Sequence, residues 1–132
     1  MSSSNENGAF MKRAYDTALS GDFAGFLQML DENVVVYEPS YLPYGGVTRG
    51  REAFTKLFAT IATYLSVPSI KVESVVADGD IVVAFLKAKT VDSGEEVDIA
   101  ERSVVRNGRI AEMRIYYHEG QTLFPRAPRK PA

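Results

Sequence analysis

The hydrophobic residues of this chain recur first at helical and then at strand spacing. From about Asn7 to Ser20, Phe10, Ala14, Thr17 and Ala18 fall on one stripe and Met11, Tyr15, Ala18 and Leu19 on the next. This predicts a helix covered over much of its surface. Ser20-Gly21-Asp22 breaks it: Gly21 suits a left-handed helix end and Asp22 an N-cap. Phe23, Phe26, Leu27 and Leu30 mark a short second helix, ended by Asp31-Glu32-Asn33. Val34–Glu38 is β-branched and aromatic, hence a strand, and Pro39 ends it by removing a ladder donor. Pro39 to Arg49 reads as a loop. From Gly50 a third helix is expected to about Ser66, on the stripe Phe54, Leu57, Phe58, Ile61 and Leu65, with Pro68 closing it. The remainder alternates: Ile70–Ala77, Ile81–Val91, Glu95–Arg106 and Arg109–His118, separated by Asp78-Gly79-Asp80, Asp92-Ser93-Gly94 and Asn107-Gly108. Asn-Gly is a strong hairpin signal. Helices gathered early and an antiparallel meander late make an α+β fold, three N-terminal helices covering one face of a curved, mainly antiparallel sheet.

Strand parity assigns faces. Val34, Val36 and Glu38 share one; Val82, Ala84, Leu86 and Ala88 form an apolar one. Ile99, Glu101, Ser103 and Val105 oppose Ala100, Arg102, Val104 and Arg106, and the arginines mark the latter as outer. Ala111, Met113, Ile115 and Tyr117 are inner against Glu112, Arg114, Tyr116 and His118. Two carboxylates, Glu38 and Glu101, therefore land on apolar inner faces. A carboxylate there is costly to keep charged, so each is expected to be paired, hydrogen-bonded or neutral.

Composition narrows the chemistry. The chain has 132 residues, 45% apolar and 24% charged, which fits one domain. Residues 1–7 and 124–132 read as flexible ends around a domain spanning 8–123. No cysteine is present, which excludes thiolate metal sites and a cysteine nucleophile. The single histidine, His118, lies on an outer face at a strand end, and no metal site is expected. A net charge of −2 gives no basic footprint for nucleic acid. No run approaches the roughly 18 apolar residues of a membrane span, and the polar start carries no targeting signal, so a cytoplasmic location is expected. Seven Tyr and seven Phe without Trp suit an apolar space holding a few hydroxyls.

A set of short motifs then acquires meaning in its order: Tyr15 before Ser20-Gly21-Asp22; Tyr37-Glu38-Pro39; Gly46 to Ala53 (GVTRGREA); Arg106-Asn107-Gly108-Arg109-Ile110; and Tyr116-Tyr117-His118. Over residues 8–123 the chain resembles the SnoaL-like branch of the nuclear transport factor 2 and ketosteroid isomerase superfamily. The resemblance implies a bent sheet wrapped around the third helix, a pocket between sheet and helices, and a homodimer through the outer sheet face. It implies that Glu38 holds the place of the isomerase base and Glu101 that of the protonated acid of the oxyanion hole. The family's oxyanion tyrosine falls nearest Ala14, with Tyr15 one place along, and one residue turns a helical side chain by about 100°.

The expected function is a cofactor-free small-molecule enzyme, of isomerase, cyclase or elimination type, acting next to a carbonyl of an apolar, oxygenated polyketide- or terpenoid-like molecule. Glu38, Glu101 and Tyr117 would be catalytic, with either carboxylate as the base. Tyr15, Val36, Tyr41, Tyr44, Phe54, Phe58, Leu86, Ser103, Met113 and Ile115 would contact the substrate. The alternatives are a non-catalytic ligand-binding or dimer-forming module, and water activation of the epoxide hydrolase type.

Overall fold

A computed structural model describes residues 3–123; the expected flexible tail, 124–132, lies outside the described residues. The elements are α1 (Ser4–Leu19), α2 (Phe23–Met29), β1 (Leu30–Glu38), β2 (Gly46–Arg49), α3 (Arg51–Ile61), β3 (Leu65–Asp78), β4 (Ile81–Thr90), β5 (Glu96–Arg106) and β6 (Arg109–His118), followed by a 3₁₀ turn at Gly120–Leu123. The fold is α+β: three helices on one six-stranded sheet of order β2-β1-β6-β5-β4-β3, antiparallel except where β1 runs parallel to β6.

Helix α1 begins at Ser4, inside the segment expected to be loose. Ser3 caps it by accepting from the Glu6 amide at 3.0 Å. The buried Asn7 donates to the Gly79 carbonyl at 2.8 Å, and the Gly79 amide donates to Ser4 Oγ at 2.8 Å. These bonds pin the first turn of α1 to the β3–β4 hairpin, a contact invisible to local patterning.

Asp22 caps α2 through the Gly25 amide at 2.9 Å. Leu30, expected on the α2 stripe, instead opens β1 as a fully buried residue. The segment expected as a loop before Arg49 contains β2, a short edge strand pairing Val36 with Thr48 and Glu38 with Gly46. Its sequence, GVTR, has too few apolar positions to show alternation. Helix α3 stops at Ile61, shorter than its stripe predicts, because Leu65 leaves it to pair with Thr90. Pro68 sits inside β3 rather than ending a helix. An edge strand has one unpaired side, and the register is irregular between Ser66 and Lys71, so the missing amide costs nothing there.

The inner faces hold as parity predicts for Val34, Val36, Val82, Ala84, Leu86, Ala88, Ile99, Met113 and Ile115, all buried. Parity fails at one place. Val104 pairs with Glu112 but Val105 with Ile110, so Ala111 is an extra residue in a bulge. Ile110 is therefore the fully buried residue, Ala111 is only partly buried, and Val104 is buried despite its outer assignment. Beyond the bulge the phase is restored.

Above the sheet, Phe23 stacks on Phe54 (centroids 6.2 Å, planes 5° apart) and tilts against Phe58 at 4.9 Å. Phe26 tilts against Phe54 at 5.9 Å. Such pairs add about 0.5–1.5 kcal/mol each beyond area burial. The cluster fixes α2 on α3, and Arg51 at the start of α3 donates to the Leu30 carbonyl, tying α3 to β1. Helix α3 packs on β1 and β2, whereas α1 packs on β3. A hollow is left between the two helices and the middle of the sheet.

Candidate active site

That hollow is a cavity of about 100 Å³. Its walls are apolar except for Tyr15, Glu38, Glu101 and Tyr117. Strand pairing brings the two carboxylates together. Glu101 on β5 lies opposite Ile115 on β6, and Glu38 on β1 lies one position beyond the Tyr37–Arg114 pair, beside the same Ile115. Their backbones are thus two strand spacings apart, roughly 10 Å, with both side chains on the concave face. At that separation two extended Glu side chains can address one small ligand.

Glu38 is buried and accepts a hydrogen bond from the Tyr117 hydroxyl at 2.9 Å. That hydroxyl is also 2.9 Å from the hydroxyl of the buried Tyr44. Because the Tyr117 proton is directed to Glu38, Tyr44 is the donor to Tyr117, giving a chain Tyr44–Tyr117–Glu38. Burial pushes the Glu38 carboxyl up from 4.5 to about 8; the Tyr117 hydroxyl acts the other way, and the neighbouring Glu101 adds a further upward push. Burial and the adjacent carboxylate raise both Tyr117 and Tyr44, so these hydroxyls keep their protons and serve as donors.

Glu101 has a partner from a different layer. The Tyr15 hydroxyl, descending from α1, donates to Glu101 Oε1 at 2.7 Å. Burial raises Glu101, and the Tyr15 bond opposes it; Tyr15 itself is raised well above its usual value by burial and by Glu101. Tyr15, not the fully buried Ala14, is the residue of α1 that reaches the carboxylates. The helix supplies the rotation that a residue count from the motif missed.

Seven of the ten side chains expected around a ligand line the cavity: Tyr15, Val36, Phe54, Phe58, Leu86, Met113 and Ile115. Three stand outside the lining. Tyr41 is 52% exposed with its hydroxyl against Gly120, on the far side of the β1 end. Tyr44 acts through Tyr117 and packs its ring against Tyr64 at 5.5 Å. Ser103 is fully buried opposite Val82 and Met113, with no partner for its hydroxyl among the described residues. Leu57 and Ile61 complete the lining from the α3 stripe. Val67 and Ile70 come from β3, where the sequence expected a helix end and a strand start. The half-exposed members, Ala18, Leu57, Phe58, Ile61, Val67 and Ile70, form an apolar mouth between α1, α3 and β3. Glu38 lies deeper, buried, and Glu101 is half-exposed.

Among the described residues no group of three His, Asp or Glu side chains is placed to hold a metal. No helix among them is long and apolar enough to cross a membrane. What the residues can do is donate hydrogen bonds to a ligand oxygen and move a proton at Glu38, whose affinity lies near ambient pH, where general catalysis is most efficient.

The same architecture occurs in solved structures. An NTF2-like protein from Burkholderia xenovorans LB400 superposes with a TM-score of 0.74 at 23% identity, over 92% of this chain and 95% of that one. A proposed polyketide cyclase from Sinorhizobium meliloti matches at 0.68 and 18% identity, over 82% and 94%. TerC, co-crystallised with polyporic acid, matches at 0.71 and 19% identity, over 85% and 91%. At these identities the likeness is one of fold. No curated protein matches the sequence. The profile of the SnoaL-like domain matches residues 11–113, from the cavity-lining Met11 on α1 to Met113 beside the carboxylates, and the chain belongs to that family.

Proposed function

We propose that this protein is a cofactor-free acid–base enzyme acting beside a carbonyl of a small, apolar, oxygenated molecule of polyketide or terpenoid type, by isomerisation, cyclisation or elimination. One observation carries the reading: two carboxyl groups, each with its own tyrosine, on the wall of an otherwise apolar cavity. Glu38 in its ionised form takes the proton from carbon. The protonated Glu101, held by the Tyr15 hydroxyl, donates to the oxygen on which negative charge develops. Tyr117, expected as a donor to substrate, is committed to Glu38 and positions the base. The neighbouring cyclase proposal for the Sinorhizobium protein and the ligand of TerC agree with this substrate class.

The cavity volume of about 100 Å³ is below the ~300 Å³ of drug-sized sites, which favours a mono- or bicyclic substrate. The test is deuterium exchange next to the carbonyl of 1-indanone or 2-cyclohexenone in D₂O, followed by proton NMR. Wild type accelerates exchange, and Glu38→Gln returns it to the buffer rate. A second reading, a binding module without catalysis, is favoured by both carboxylates being already satisfied inside the protein. It is distinguished by ketones that raise the melting temperature yet exchange at the buffer rate.

Assembly belongs to the same proposal. On the outer face Phe85, Ala100 and Tyr116 form one cross-strand row, with Phe85 44% and Tyr116 52% exposed. A second copy covers this row in a homodimer. Light scattering of Phe85→Glu then reports a monomer, and an unchanged mass would remove the contact.

A further inference from the structure

The cavity takes its polar and its apolar wall from different elements. Its four polar groups stand on α1, β1, β5 and β6: Tyr15, Glu38, Glu101 and Tyr117. At the mouth, α3 supplies Leu57, Phe58 and Ile61 and β3 supplies Val67 and Ile70, all half-exposed. Among the described residues, no hydroxyl or charged side chain of α3 or β3 lines the cavity.

The β3 side of the mouth depends on a break in the sheet. Val67 and Ile70 are three residues apart, so a regular strand would point them to opposite faces. Here Ser66 pairs with Lys89 and Lys71 with Lys87, so four residues of β3 stand against Ala88 alone. The extra residues bulge from the sheet edge and let both side chains line the cavity. Ser69 holds the bulge: its hydroxyl donates to the Ser66 carbonyl at 2.6 Å and accepts from the Lys89 amide at 2.8 Å. Half-exposed apolar side chains grouped around an opening form a surface suited to being covered by a ligand. The cavity of about 100 Å³ has room for a small ring, and hydrogen-bond partners for a carbonyl lie only on its polar wall. A substituent leaving the ring towards α3 and the bulge meets hydrocarbon on both sides. A phosphate, sugar or charged group finds no partner there.

We propose that the ligand of this cavity carries an unbranched hydrocarbon chain on the side of its ring away from the carbonyl, and that Leu57 and Ile61 on α3 and Val67 and Ile70 on β3 hold this chain at the mouth. Leu57 and Ile61 lie one helical turn apart, about 6 Å, which a chain of about five carbons spans. These four side chains then set specificity by chain length. The ring and its carbonyl rest on the function proposed above; the chain rests on the mouth.

The experiment is calorimetric titration of the protein with 4-alkylcyclohexanones from methyl to heptyl. Wild-type affinity is expected to rise about threefold per added carbon, about 80-fold from methyl to pentyl, and then to level off, since each methylene buried against the mouth adds a similar free energy. Ile61→Asp and Val67→Asp place a charge at the mouth from two separate elements. Each should cut the pentyl-to-methyl ratio below about tenfold while methyl binding stays within about threefold of wild type. Val76→Asp, at a position of β3 that is 58% exposed and outside the cavity lining, should keep the full ratio. Methyl binding with no gain from a longer chain, or an unchanged ratio in both mouth variants, would overturn the proposal. A second copy seated on the mouth would overturn it too, seen by light scattering as a wild-type mass that drops in Ile61→Asp. Wild type that binds no member of the series would remove the carbonyl reading itself, and this inference with it.

Discussion

Glu38 and Glu101 are the same residue type on the same apolar face, yet they are held by different parts of the molecule. Glu38 ends a strand and takes its hydrogen bond from the neighbouring strand, through Tyr117 and then Tyr44. Glu101 lies in mid-strand and takes its bond from Tyr15 on a helix across the cavity. The first, pushed up to about 8, can shed and regain a proton near neutral pH. The second, raised by burial and bonded to a tyrosine of α1, suits a group that keeps its proton and donates it as a hydrogen bond. Two equal side chains are given unequal tasks by what surrounds them.

The sharpest way to break this asymmetry is to neutralise each carboxyl in turn. Glu38→Gln keeps an acceptor for Tyr117 but cannot take a proton, so ketone exchange should fall by about 10³-fold, within the usual range for a lost general base. Glu101→Gln keeps a donor and should lose far less. Equal losses would erase the distinction.

The stability of the folded chain should carry the same mark. Glu38 holds its proton up to about pH 8 when folded but only to about 4.5 when unfolded. Its contribution is therefore complete below pH 4.5 and is lost as pH rises through 8, a fall on the order of a few kcal/mol. Thermal denaturation of wild type across this window should drop by several degrees, and Glu38→Gln should flatten the profile. An unchanged slope in the variant would place the titration elsewhere.

Removing the helix-borne hydroxyl comes next. Tyr15→Phe deletes the bond that positions Glu101 and should cost about tenfold in exchange, or about 1.4 kcal/mol, without moving the pH midpoint of the rate. Tyr117→Phe should do the reverse. Its hydroxyl favours the ionised Glu38, so its loss should raise the pH midpoint by about one unit, the size of one hydrogen bond to a charged group. Tyr44→Phe, one bond further out, should move that midpoint in the same direction by less. If Tyr15→Phe shifts the midpoint and Tyr117→Phe does not, the two carboxylates have exchanged roles.

Much of this was legible before any tertiary structure. The helices up to residue 61, the meander with its three turns, and the inward aim of Glu38, Glu101, Met113, Ile115 and Tyr117 all follow from spacing alone. The misreadings share one cause. Leu65 and Pro68 look like the end of a helix until β4 offers an edge to pair with. GVTR looks like a loop until β1 supplies its ladder. Ile110 and Ala111 change places at a bulge that only the partner strand can reveal. Tyr41 and Tyr44 sit three residues apart on one loop, yet one is exposed and the other buried under Tyr117.

Which side chains face inward follows from spacing along the chain, because side-chain direction repeats every two residues along a strand and about every 3.6 along a helix. Spacing therefore puts two carboxylates into an apolar interior. What they meet there is set by packing: the parallel passage of β1 beside β6 joins Tyr117 to Glu38, and the packing of α1 over the sheet joins Tyr15 to Glu101. Periodicity is a property of neighbouring residues, whereas those two hydrogen bonds join positions 79 and 86 residues apart, and a partner at that distance is set by how the layers pack.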